Sequence, residues 1–150
     1  MREILFRGKR VDNDEWIEGY FCKKYFQEIP HDRYVIQYKT EYDPKLWKPD
    51  YMAEEVITET VGQYTGLTDK NGKKIFEGDI CQDEHSVVLV LWQSHKWCCK
   101  VLKGCVLSRG CAFPLWQWDN CPENGNRQLE VIGNIHDNSE LLKGERNEAD

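Results

Sequence analysis

The sequence predicts a mostly β protein: an N-terminal β-hairpin subdomain, a small β barrel after it, and few short helices. Three observations carry that expectation. Six Trp, seven Tyr and five Phe in 150 residues favour pleated, half-buried surfaces. Val87 to Trp92 is an apolar run long enough for a buried strand and too short for a helix. Turn residues recur between short apolar stretches, which is the punctuation of hairpins.

Taken in order, Glu3 to Gly8 and Glu15 to Tyr25 read as two strands joined by the Asp12-Asn13-Asp14 turn. Trp16, Glu18 and Tyr20 alternate with Ile17, Gly19 and Phe21, so both faces of the second strand carry apolar groups. Tyr34 to Lys39 is a third strand with Tyr34, Ile36 and Tyr38 on one face. Residues 40–60, with Pro44, Pro49 and many acidic side chains, read as a linker holding at most a short helix at Met52 to Val56. Val61 to Leu67 and Ile75-Phe76 form a second hairpin around Asp69-Lys70-Asn71-Gly72. Glu77-Gly78-Asp79 is a bend, after which Val87 to Trp92 and Trp97 to Leu102 pair across a turn at Gln93 to Lys96. Phe113 to Trp118 is an aromatic strand or ordered loop, and Leu129 to His136 places Leu129, Val131, Gly133 and Ile135 on one side. About five short strands in this half suggest a small barrel. The expected organisation is a β subdomain with its linker over 1–60, the barrel over 61–142 and a mobile charged tail over 143–150. Val87 to Trp92 and Leu129 to Ile135 are expected as central barrel strands with almost entirely buried apolar side chains, so Leu89→Ala should cost about 2–5 kcal/mol.

A chain of this size buries roughly two thirds of its unfolded surface and needs no metal or disulfide for stability. The net charge of −6 argues against a phosphate backbone as the main partner while leaving room for a local basic patch. The N-terminal stretch lacks a signal-peptide core and no apolar run reaches the length of a membrane span, so a cytoplasmic setting without membrane contact is expected. In that reducing setting the seven Cys are expected as thiols.

Three stretches together resemble the YopX-like family of phage and prophage proteins. They are Arg2-Glu3-Ile4-Leu5-Phe6-Arg7-Gly8-Lys9, the long Val61 to Ile80 block with Thr65-Gly66-Leu67-Thr68-Asp69-Lys70-Asn71-Gly72 at its centre, and Val131 to Asn138 with Glu140-Leu141-Leu142. The resemblance implies an SH3-like barrel in the second half and a bacterial host cytoplasm. It brings no catalytic residues, so none can be carried over.

Other chemistry was sought in residue spacing. Cys98, Cys99, Cys105, Cys111 and Cys121 crowd near His95, yet no C-x-x-C pair occurs, and adjacent Cys98 and Cys99 on a strand point to opposite faces. Buried core thiols are therefore expected in place of a zinc site. No phosphate loop, calcium loop or nucleophile signature appears, and neither a catalytic group nor a cofactor is expected. The favoured expectation is a non-enzymatic protein-binding or self-associating module with Trp116 and Trp118 at the contact. The alternative is a nucleic-acid-binding barrel using Lys96, Trp97, Lys100, Lys103 and Arg109.

Overall fold

The computed structural model describes residues 2–25, 32–41, 45, 50–104, 109–118 and 129–143. Cys105, Cys121, Pro44, Pro49 and all of the tail expected over 143–150 except Lys143 lie outside them. The chain is mostly β and divides into two compact units, Met1–Tyr64 and Thr65–Asp150, the division falling inside a strand where the sequence suggested residue 60.

In the first unit, β1 (Phe6–Lys9), β2 (Trp16–Lys24), β3 (Arg33–Lys39), β4 (Tyr51–Glu55) and β5 (Gly62–Thr68) follow the order β4-β3-β2-β1-β5. The β1–β2 turn closes as its residues suggest: Asp14 adopts φ 58°, and Asn13 Oδ1 accepts the Glu15 N–H at 3.0 Å. The helix expected at Met52 to Val56 is instead strand β4, paired antiparallel with β3 from Val35 opposite Glu55 to Lys39 opposite Tyr51. Tertiary pairing overrides the weak β preference of its acidic residues. Glu54 meets Arg10 at 3.4 Å and Glu55 meets Arg33 at 3.3 Å, so neighbouring cations neutralise them. Tyr51–Glu55 are therefore part of the sheet, and a 3-10 turn at Thr58–Thr60 lets the Thr60 hydroxyl accept the Lys9 N–H. Val35 and Ile36 point to opposite faces, and both are buried.

In the second unit, β6 (Lys74–Phe76) lies beside β5. β7 (Asp79–Gln82), β8 (Val87–Gln93), β9 (Lys96–Lys103), β10 (Ala112–Pro114) and β11 (Glu130–Asn134) form a five-stranded antiparallel sheet ordered β10-β9-β8-β7-β11, compatible with a small barrel. A four-residue helix, Glu140–Lys143, follows. Ser94 and His95, both at positive φ, make the β8–β9 turn. One apolar cluster gathers Ile75, Cys81, Val88, Val90, Cys99, Val101, Leu115 and Leu129.

Two expectations fail here. β8 is a strand but not wholly buried: Val88 and Val90 face the core while Val87, Leu89 and Leu91 are half-buried on the other side. An unbroken apolar run does not say whether one or both faces are covered. The larger truncation cost moves accordingly to Leu129, where Leu129→Ala should cost about 2–5 kcal/mol by urea denaturation, against roughly 1 kcal/mol for half-buried Leu89→Ala. β11, expected as a central buried strand, is the edge of the sheet beside β7, with Val131 and Ile132 half-buried, and its alternation breaks where its pairing with β7 shifts between Val131 and Gly133.

Candidate functional site

The Thr65 to Ile80 and Val131 to Leu142 residues that help make this sequence recognisable meet in the second unit, while Arg2 to Lys9 lies in the first. Asp69 is buried and accepts three backbone N–H groups: Asn71 at 2.8 Å and Lys73 at 2.9 Å on Oδ1, and Val131 at 3.0 Å on Oδ2. One carboxylate thus shapes its own hairpin turn and ties it to a strand 62 residues away. Gly72 takes φ +80° in that turn, a conformation an L side chain resists. Lys70 N donates to Leu129 O at 2.9 Å, and the Lys70 ammonium lies 2.8 Å from Glu130, whose carboxyl it holds below the usual range.

Gly78, at φ +86°, donates its N–H to Val90 O and accepts the Ile135 N–H through its carbonyl. Asp79 follows, wholly buried, accepting the Phe76 N–H at 2.7 Å and standing opposite Asn134. Its bond reaches back three residues along the chain. The Asn134 amide oxygen accepts the N–H groups of His136 and Asp137, and Asn138 Oδ1 accepts the Asn134 N–H. Each of these polar side chains closes a backbone turn, which is scaffold chemistry.

The YopX protein family model matches residues 5–143. The chain belongs to the YopX family. The crystal structure of protein EF1440 from Enterococcus faecalis is similar to this YopX-family chain at 21% identity, covering 95% of this chain and 99% of that one with a TM-score of 0.49. No curated protein matches.

The candidate contact residues of this YopX-family chain fall in different places. Phe113 to Trp118 is not one strand: β10 ends at Pro114 and a 3-10 turn takes Leu115–Trp118, so strand alternation does not apply to the two tryptophans. Trp116 is 65% exposed. Trp118 is half-buried against the core, edge-on to Phe113, and donates its indole N–H to Asp83 at 2.8 Å. Asp83, which sequence spacing left without a role, also accepts the His85 N–H and both the N–H and hydroxyl of Ser86. Burial alone would raise its pKa, but these bonds outweigh it and hold the carboxyl below the usual carboxylate range. Its stabilisation is complete above the ordinary carboxylate pKa of about 4 and is lost as pH falls through the lower folded value. An acid titration followed by Trp fluorescence should show this step in the parent and lose it in Asp83→Asn.

The expected basic platform on β9 does not assemble. Trp97 and Cys99 face the core, whereas Lys96, Cys98 and Lys100 alternate to the opposite face. Lys103 pairs with Val87 beyond a register shift, and Arg109 sits in an exposed turn before Gly110. The odd spacing between Trp97 and the two lysines carried this signal in the sequence. Trp92, 51% exposed, packs edge-on against Trp97 at 4.9 Å and was missed as a surface aromatic.

Cys98 and Cys99 are both buried on their opposite faces, and burial first, then the neighbouring Cys98 and Asp83, pushes the Cys99 thiol up to about 12. Among the described residues, no group of three or more His, Cys, Asp or Glu could hold a metal ion. Thiol alkylation of the native, reduced protein should therefore label exposed Cys111 while sparing Cys98 and Cys99, as peptide mass mapping can check. No helix among the described residues is long and apolar enough to cross a membrane.

Proposed function

We propose that this YopX-family protein is a non-enzymatic accessory protein of phage or prophage origin, acting in the host cytoplasm, whose SH3-like second unit associates with a second copy of itself through Trp116. The carrying observation is how Trp116 is mounted. It is largely exposed, yet on one side Leu115 is 2% exposed in the core and on the other Trp118 is tied to Asp83. A large aromatic held out by anchored neighbours loses little freedom on binding, and Trp is enriched where interfaces concentrate their energy. A two-fold symmetric pair is the commonest way to cover such a group. Trp118 acts in this reading as the anchor and Trp116 as the contact.

Light scattering at micromolar concentration tests it. The expected mass is at least twice the 17.8 kDa of one chain, falling to a single chain in Trp116→Ala with an unchanged melting temperature. A parent mass of one chain would refute the self-association, and an oligomer untouched by Trp116→Ala would move the contact elsewhere.

A further inference from the structure

A different surface, in the first unit, has a chemistry that the self-association reading does not use. Registers across β1 to β4 assign every strand residue to one of two faces. On one face a Cβ placed at Gly8 would lie 3.2–3.3 Å from Ile36, Val56 and Val61, and the rings of Phe6, Phe21 and Tyr34 pack across three neighbouring strands. That face is largely apolar, with Lys23 and Glu54 as its charged members.

The other face is basic and aromatic. The pairings Arg7 opposite Glu18, Lys9 opposite Trp16, Lys24 opposite Arg33, and Lys39 opposite Tyr51 place these groups together. Arg7 is itself buried, and Lys9, Lys24, Arg33 and Lys39 stand against two carboxylates, Glu18 and Glu55, the latter paired with Arg33 at 3.3 Å, so the face is positive on a chain whose net charge is −6. Charge of that sign, gathered on one side of an acidic protein, is complementary to a polyanion.

Among the cations stand three rings. The Trp16 ring carries the Arg7 guanidinium at 4.8 Å and the Lys9 ammonium at 5.5 Å from its centroid, which fixes those charges in place. Tyr20 and Tyr51 are 58% and 50% exposed, and they stand two strands apart, about 10 Å across the sheet. Exposed rings interleaved with cations offer unpaired bases a stacking partner and the phosphates a counter-charge. A duplex hides its base faces in its own stack, and an acidic peptide brings charge without rings to stack. We propose that this face of the first unit binds single-stranded nucleic acid, with Tyr20 and Tyr51 stacking bases and the cations tracking the backbone.

Fluorescence anisotropy of the full chain with labelled oligo-dT, oligo-U, a duplex of equal length and polyglutamate tests this at low and moderate salt. The expected result is binding of one or both single strands, the two arms separating DNA from RNA, with duplex and polyglutamate at least about tenfold weaker. Tyr20→Ala with Tyr51→Ala should weaken binding about tenfold or more, since each stacked base contributes on that scale, and Tyr→Phe at both positions should restore it. Lys39→Gln should weaken all single-stranded sequences alike and reduce the salt slope by about one. Absence of single-strand binding at low salt, equal binding of duplex or polyglutamate, or binding indifferent to the tyrosine pair would each overturn the proposal. Both tyrosines are exposed, and a melting curve of the double variant separates lost binding from lost fold.

Discussion

Asp69→Ala is expected to destabilise the protein by about 3–5 kcal/mol. The substitution leaves three N–H donors, on Asn71, Lys73 and Val131, without their carboxylate acceptor. Each partly buried donor so stranded costs about 1–3 kcal/mol, less where water can reach it. The turn residues can recover some solvation, whereas Val131 lies within β11 beside β7 and loses its tie to the hairpin. Asp69→Asn separates the two arms of this role: the amide oxygen can still accept from the turn, but an NH₂ group then faces the Val131 N–H. Its loss should fall between parent and alanine variant. Urea denaturation with an unchanged m-value checks both.

Gly19→Ala is expected to be comparably damaging in the first unit, for a steric reason. A Cβ at Gly19 would sit 2.2 Å from the Gln37 carbonyl oxygen and 2.9 Å from its carbon, which are backbone atoms of β3 and cannot rotate away. β2 and β3 would have to separate, at a cost of about 3 kcal/mol or more. For a chain of this length that is a melting-temperature drop of about 6–12 °C. Gly133→Ala makes the informative contrast. Its Cβ would meet the Asn138 side chain at 2.4 Å, and that side chain can swing aside by giving up its bond to the Asn134 N–H. The smaller loss there should separate a backbone obstacle from a movable one.

What the sequence disclosed was mainly local. The β1–β2 and β5–β6 turns were readable because Asn13 and Asp69 fold the backbone within a few residues of themselves. The β8–β9 hairpin was readable from its length and the short polar stretch between apolar runs. β4 was not, because its acidic residues are made tolerable by Arg10 and Arg33, which only pairing brings near. The second arm of Asp69, reaching Val131, has no local signature at all. Trp116 was singled out by an alternation that a 3-10 turn replaces, though its exposure agrees with a surface role. The basic and aromatic face of the first unit needed the register of four strands, one of them unrecognised, before its members could be placed on one side.

The account holds centrally that the Asp69 turn, the Gly78-Asp79 bend and the Val131 to Asn138 stretch, which carry much of this chain's YopX resemblance, build the scaffold of the second unit. Native-state hydrogen exchange tests this most directly, because amides locked into a cooperative core exchange only by unfolding. The N–H groups of Lys70, Lys73, Val131 and Ile135, bonded to Leu129, Asp69, Asp69 and Gly78, should exchange as slowly as those of Val88 and Val90 in the core strand. Exchange of those four amides as fast as that of exposed turn residues, while β8 stays protected, would contradict it and mark the signature region as a mobile site in place of a scaffold.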